Sequence, residues 1–567
     1  MMGWFIVTVA VLQQLAPAVR QQLVIGPADS VRIVRSARSA QSSFENFRRL
    51  RLPMGERRYG ECDVIIGRYC YWRGDDEDED PPPPEAPAIR SRRAELIRLL
   101  DSASQQLPGD SWIAGQRVRY LVEAGERVRA REAAERDCAA ESSWCSALAG
   151  FAAHSFGDYV AADSAFGSAL KAMSDAERCR WLDISDMIDG ELAKRYDHLD
   201  CPAREALARR AAIMGAPLFL IGSADLLTEH LSRFTRARMA ERSATPDGES
   251  WADDARELVK RYGWPSWYSR SEPSPGSLQR PGITGHDSGR PYFFFPSLRA
   301  IDHPGETSAN DWRIDDPRAP MGYAPAFAKL MHELPHQMAR FRHGDSVLVL
   351  AAWDASRDTS LANRELEVTL ALTDDVRPQA PIVTRRRETG GLLRSIVADS
   401  GLASIELLDR ATKHAARARV GFSAPPLQRV WLSDLLVFRP WVSDTKHTLD
   451  STLTEHAIRS DVVRRSDSLA VFWEAYGLRR ELVRFTLSVE QIGVSWMRRA
   501  AEAVRLADRS TGVRVQWQEV PVLENGIAAR DVRVDLSRLK TGRYRMELTV
   551  VAGGDPPATS TRLIEVR

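Results

Sequence analysis

The chain has 567 residues, too many for a single hydrophobic core, so about three to five domains are expected. Its 78 basic and 77 acidic residues nearly cancel to a formal charge of +1, which excludes a domain-wide positive field for nucleic acid. Hydrophobic residues make up 44% of the chain, enough to bury cores over most of its length.

The first residues read MMGWFIVTVAVLQQLAPAVR. Trp4 to Leu12 is apolar but too short to span a bilayer, and Ala16-Pro17-Ala18 supplies an A-x-A cleavage site. Residues 1–18 therefore read as a signal peptide. The mature chain is expected to be exported, periplasmic or extracellular, with no transmembrane segment. Residues 19–89 read as an Arg-rich irregular region, closed by the run Asp75 to Pro87, DDEDEDPPPPEAP. Repelling charges and prolines make that run an extended linker.

From 90 to 245 the apolar period becomes helical. Trp112, Gly125, Val128 and Ala130 recur 32 residues later as Trp144, Gly157, Val160 and Ala162. Gly157 opens a turn, small Ala162 admits a second helix, and Phe166 and Ala169 fill the pair. With Tyr159, this pattern resembles the tetratricopeptide repeat, which implies antiparallel helix pairs and a concave docking face.

All six cysteines, Cys62, Cys70, Cys138, Cys145, Cys179 and Cys201, lie in the first 201 residues and form sequence-local couples. Among 15 connectivities, 62–70, 138–145 and 179–201 are expected, with reduced buried thiols as the alternative. Seven residues of one helix span about 10 Å, too far for a bridge, so 138–145 needs a turn at AAESS. The repeat places one there.

Residues 246–336 begin with ESWADDARELVKRYGWP. Trp251 and Asp254, followed by the closing Arg261-Tyr262-Gly263-Trp264-Pro265, resemble the GWxTD-domain proteins of bacteria. Ser250 stands where that family has Gly, and Asp253 where it has Thr. The resemblance implies an exported bacterial protein with a C-terminal β-domain and supplies no catalytic residue. From 337 the period becomes two, beginning with a hairpin over Gly344-Asp345. Two antiparallel, Ig-like β-sandwiches are expected, at 337–450 and 465–567, with a helix at SWMRRAAEAVRLAD. The fold class is thus multidomain α + β, a tetratricopeptide-like helical region followed by β-sandwiches.

At the junction stands His332-Glu333-Leu334-Pro335-His336, a literal H-E-x-x-H. On one helix it would set two imidazoles on one face for zinc, with Glu333 as general base. Pro335 opposes this. It lacks an N–H, collides with the preceding turn, and costs about 3 kcal/mol inside a helix. The helix suggested by APAFAKLMHEL is expected to end here, with His336 opening a strand. His286 and His303 read as loop histidines. The aromatic set around Trp251, Trp264, Trp267 and Phe293 to Phe295 reads as a core joining the two halves.

These readings lead to a non-catalytic exported scaffold that binds a protein or peptide, without cofactor or metal and without nucleic acid. The alternatives are a carbohydrate or cell-surface binder using exposed tryptophan and, more remotely, a zinc-dependent hydrolase on His332, Glu333 and His336.

Overall fold

Gly26 and Pro27 open helix α1 (Pro27–Arg49) of the computed structural model, with Asp29 complementing the helix dipole in its first turn. The structure describes residues 26–55, 62–72, 83–492 and 512–567, excepting 223, 272–281, 288, 317, 374–382, 389, 398–399, 424–429, 442–448 and 450. The segment 1–18 read as a leader, most of the acidic run and the helix expected near 495–508 lie outside these residues.

The presence of α1 corrects the reading of 19–89 as irregular. Its buried positions are Ala37, Gln41, Phe44 and Glu45, at helical spacing. A short hairpin follows, β1 (Val64–Ile66) and β2 (Tyr69–Tyr71), with antiparallel register Ile65 to Cys70. The helical region continues as α2 (Pro87–Gln106), α3 (Ser111–Glu123), α4 (Arg127–Glu135), α5 (Ser142–Ser155), α6 (Tyr159–Ala172), α7 (Asp175–Trp181), α8 (Gly190–Asp197), α9 (Cys201–Met214), α10 (Asp225–Ala240) and α11 (Asp253–Tyr262).

Gly125 and Gly157, 32 residues apart, adopt the same left-handed backbone (φ 75° and 77°) between α3 and α4 and between α5 and α6. Nothing lies within 4 Å of where a Cβ would stand at either site. Gly157→Ala is therefore expected to lower stability by about 1 kcal/mol through backbone strain alone, measured by denaturant unfolding. Ala162 is fully buried, and Gly150 lies directly against the Phe166 ring, where a Cβ would come within 2.8 Å.

Helix α10 packs on α3, α5, α6, α9 and α11 and buries residues on every side, among them Asp225, Thr228, His230, Arg233 and Arg236. It is thus the most enclosed element of the helical array.

Three disulfides, Cys62–Cys70, Cys138–Cys145 and Cys179–Cys201, have Cα separations of 5.3, 5.8 and 5.7 Å. The 138–145 bridge spans the turn between α4 and α5. Among the described residues no helix is long and apolar enough to cross a membrane. Both observations fit an exported protein.

Between the halves lie the hairpin β3 (Trp267–Arg270) and β4 (Ile283–His286) and the short helix α12 (Leu298–Asp302). Then come β5 (Leu330–Glu333), β6 (His336–His343), β7 (Ser346–Asp354), β8 (Leu366–Thr373), β9 (Val383–Arg386), β10 (Gly390–Val397), β11 (Gly401–Asp409) and β12 (His414–Phe422). Two sheets, β10-β7-β6 and β5-β12-β11-β8-β9, face each other across a core that includes Trp353, Val368 and Ile405. The outer face of β11 and β12 carries Glu406, Arg417 and Arg419, all buried against the helical half. Arg417 donates to the carbonyls of Ala216 and Pro217 at 2.9 and 2.7 Å, and Arg419 to those of Met214 and Ala216 at 2.9 and 2.6 Å. Glu406 accepts from the Leu220 amide at 2.8 Å and pairs with Arg419 at 3.2 Å.

The remaining elements are β13 (Trp431–Leu432), β14 (Leu436–Phe438), α13 (Ser451–His456), β15 (Val462–Val463), β16 (Ser468–Tyr476), β17 (Val483–Gln491), β18 (Val513–Glu519), β19 (Ile527–Asp535), β20 (Gly542–Ala552) and β21 (Ala558–Val566). One sheet sets β13, β14 and β19 on β16, and the other runs β15-β21-β20-β17-β18. Trp473, Phe485, Leu487 and Leu548 fill the core between them. Strands β13 and β14 lie at 431–438, inside the range expected for the first β unit, yet they pair with β16 of the second. Arg340 of β6 clamps Asp434 at 2.7 and 2.9 Å across that junction. The chain is thus mixed α + β, helices first and antiparallel and mixed sheets after them.

Candidate functional site

The residues of the stretch 251–265 act as internal fasteners. Asp254, in the first turn of α11, takes a two-point grip from Arg68 at the tip of the β1–β2 hairpin, at 2.7 and 2.9 Å. The hydrogen bonds from Arg68 hold its carboxyl well below the usual carboxylate range. Gly67, at φ 53°, makes this approach possible, since a Cβ there would stand 2.5 Å from that of Asp254. Tyr262 is buried and stacks on Tyr71 at 3.9 Å. Gly263 ends α11 at φ 84°, and Arg233 of α10 caps that end through the carbonyls of Lys260 and Arg261 at 3.2 and 2.8 Å. Arg261 donates to the Pro320 carbonyl at 2.6 Å. Pro265 presses on Gly285.

Trp251 lies 6.5 Å from Trp264, centroid to centroid. Trp264 in turn lies beneath the guanidinium groups of Arg236 and Arg119, at 4.3 and 5.4 Å. These arginines belong to a buried charge cluster linking α1, α3 and α10. Arg119 reaches Glu45 at 2.8 Å and Glu123 at 3.1 Å, Arg236 reaches Glu123 at 2.6 Å, and Arg48 reaches Glu123 at 3.1 Å. Tyr120 donates to Glu45 at 2.7 Å. Burial works against the charge on Glu123, yet Arg119, Arg48 and Arg236 together hold its carboxyl well below the usual range.

A second buried group surrounds Asp225, at the start of α10. Both its carboxylate oxygens are enclosed, and burial pushes the carboxyl up to about 8, against the opposing pull of the Asp225 and Leu226 amides and of Arg419 and Arg417. One turn along the helix, His154 of α5 joins Thr228 at 2.9 Å and Glu229 at 2.7 Å.

The histidines of H-E-x-x-H are placed by strands. No helix covers 324–334, which corrects that expectation. Met331 to Glu333 lie in β5, parallel to β12, with His332 opposite Ala416. His336 begins β6 and pairs with Trp353 in the other sheet. Its Nδ1 lies 2.8 Å from the Leu334 carbonyl, and burial lowers its pKa, favouring the neutral ring. The two imidazoles thus belong to different sheets. Among the described residues no three His, Cys, Asp or Glu side chains are grouped to hold a metal ion. His286 stacks on Trp267 at 3.8 Å and meets the Ser269 hydroxyl at 2.8 Å, while the His303 amide closes α12 on the Arg299 carbonyl.

His332 and Glu333 do line a cleft of about 340 Å³, together with Arg290, Tyr292, Arg313, Ile314, Asp315 and Met331. Its walls come from three segments held edge to edge. The Phe293 amide donates to Ile314 at 2.9 Å, and the Met331 amide donates to the Tyr292 hydroxyl at 2.7 Å. Tyr292, Ile314 and Met331 are buried at its base, and the exposed lining is mainly polar. Arg290 pairs with Asp315 at 2.9 Å, and His332 lies 4.0 Å from Asp358. Arg313 is exposed and donates to Asn310 at 3.0 Å, forming no ion pair among the described residues. Glu333 is exposed beside it. The cleft thus offers cations, carboxylates and an imidazole around buried Tyr292, Ile314 and Met331, within the size range of small-ligand sites. Sequence reading singled out His332 and Glu333, but Arg290, Arg313 and Asp315 carry no signal in an Arg-rich chain.

No family model and no curated protein matches the chain. A crystal structure of red sea bream transglutaminase matches 42% of this chain and 31% of its own, at 11% identity and a TM-score of 0.13. The chain spans about a third of that structure's length, and so slight a likeness transfers neither fold nor activity.

Proposed function

We propose that the protein is an exported, non-catalytic binding protein whose ligand seat is the cleft between Arg290, Arg313 and His332, and that its ligand is a short peptide or chain terminus. The helical array is read as tetratricopeptide-like, on the matched glycine turns at 125 and 157, and the two β units as Ig-like. The observation that carries the function is the makeup of the cleft. Arg313 and Glu333, opposite in charge and both exposed, border a floor of Tyr292, Ile314 and Met331. A peptide end presents the same combination of charge and apolar side chain. With α10 packed on α3, α5 and α6, this cleft takes the place of the concave face as the docking surface. The tryptophans considered for sugar stacking are covered on one side, Trp267 by His286 and Trp264 by Arg236.

Isothermal titration of the mature protein with a mixed tripeptide library, free or capped at both ends, provides the test. Free peptides should bind, and Arg313→Glu should weaken binding about tenfold or more without altering the melting temperature. Equal binding by the Arg313→Glu variant, or no binding by any uncapped peptide, would overturn the assignment.

A further inference from the structure

We infer that the protein pairs with a second copy of itself through strand β18, continuing the sheet β15-β21-β20-β17-β18 across a two-fold axis. Strand β18 is the edge of that sheet and hydrogen-bonds only β17 among the described residues. The other edges of the two facing sheets are protected. Strands β15 and β13 have two residues each and β14 has three. Strand β19 is long but carries Arg530, Asp531, Arg533 and Asp535. Strand β18 runs seven residues, Val-Arg-Val-Gln-Trp-Gln-Glu, without proline or lysine. Long edges of this kind template pairing unless something blocks them.

The side chains of β18 indicate what covers it. Its register with β17 sets Val513, Val515 and Trp517 opposite Val489, Leu487 and Phe485, all three of them buried. This row therefore faces the core. Trp517 stacks on Phe485 at 5.2 Å, but Val515 remains 41% exposed. Exposed Leu482, Val520 and Val522 extend the apolar surface around one end of the strand.

In a two-fold antiparallel pairing, residues opposite one another share a face, so the axis must pass through a residue. Centring it on Gln516 overlaps all seven positions. Val515 then lies beside the partner's Trp517, a favourable aromatic and β-branched pair that covers the exposed valine. Arg514 faces the partner's Gln518, Val513 the partner's Glu519, and Gln516 its own copy. No like charges meet across the seam. Glu519 stays bound to Arg530 at 2.7 Å, fixing β18 to β19 at one end.

Because all six cysteines are in disulfides, Gln516→Cys introduces the single free thiol, at the position that meets itself. The mature wild-type protein should sediment as a dimer, and Gln516→Cys should link into a covalent dimer under mild oxidation. Val515→Arg, at a position 41% exposed, should weaken association about tenfold or more while the melting temperature of the monomer stays unchanged. A monomer at every attainable concentration would overturn the inference. So would a dimer that neither crosslinks through Gln516→Cys nor weakens with Val515→Arg, since it would form through another face.

Discussion

Arg119→Met should lower the free energy of unfolding by about 3–5 kcal/mol, measured by guanidinium denaturation at neutral pH. Arg119 and Glu45 are both fully buried, and their contact joins α3 to α1. Removing the guanidinium leaves the Glu45 carboxylate enclosed, with Tyr120 as its hydrogen-bond donor and Arg48 at 3.6 Å as its nearest remaining cation. Desolvation of a charge deprived of its close partner is the source of the loss, more than the pair's own attraction. Glu45→Gln with Arg119→Met should therefore recover part of the stability lost in Arg119→Met alone. The loss should appear first as faster amide exchange along α1, whose array-facing side consists of Ala37, Gln41, Phe44 and Glu45. If Arg119→Met changes stability by less than about 1 kcal/mol, the cluster does not fasten α1.

Asp225→Asn should have the opposite sign. In the folded chain the Asp225 carboxyl titrates at about 8, against an ordinary value of 3.8. Below 3.8 both folded and unfolded chains hold the proton, and no penalty arises. Between 3.8 and about 8 only the unfolded chain releases it, so stability falls by up to about 1.4 kcal/mol per pH unit. Above about 8 both chains are ionised and the loss levels off. Asparagine keeps the shape and cannot ionise, so the variant should be roughly equal to wild type near pH 4. At pH 8 it should be more stable by several kcal/mol. Paired denaturation curves across this range check it, and a stability difference that does not change with pH would refute it.

How far the sequence foretold this arrangement depends on where each element finds its partners. The three cysteine pairs close over 8, 7 and 22 residues, so spacing alone brings their thiols together. The glycine turns at 125 and 157 are local too, set by left-handed backbone that glycine adopts without strain. Helix α1 was hidden because half its buried positions, Gln41 and Glu45, are polar and satisfied only by groups distant in the chain. Helix α10 falls within the helical period read at 90–245, but its polar residues find partners in α3, α5 and the segment at 260–322, which no local pattern shows. Leu330 to Glu333 fits a helical period as well as a strand. The decision rests with β12, a parallel neighbour more than 80 residues later, which no local pattern announces. Pro335 was readable as a break, and the backbone does change sheets there. The cleft itself was half legible. His332 and Glu333 caught attention for a spacing the structure does not use, while their actual companions come from 290–292 and 313–315.

The covalent bridges share one property with a consequence for biogenesis. All lie before residue 202 and none crosses another along the chain. A polypeptide threaded through a membrane N-terminus first can close each bridge as its second thiol emerges, without waiting for later sequence and without reshuffling. The residues that fasten the halves, Arg417 and Arg419, arrive some 200 positions after the backbone they grip. Oxidation would thus be complete while the sheets are still emerging, and a late stall would release a cross-linked helical fragment with the backbone carbonyls of 214–217 still unoccupied.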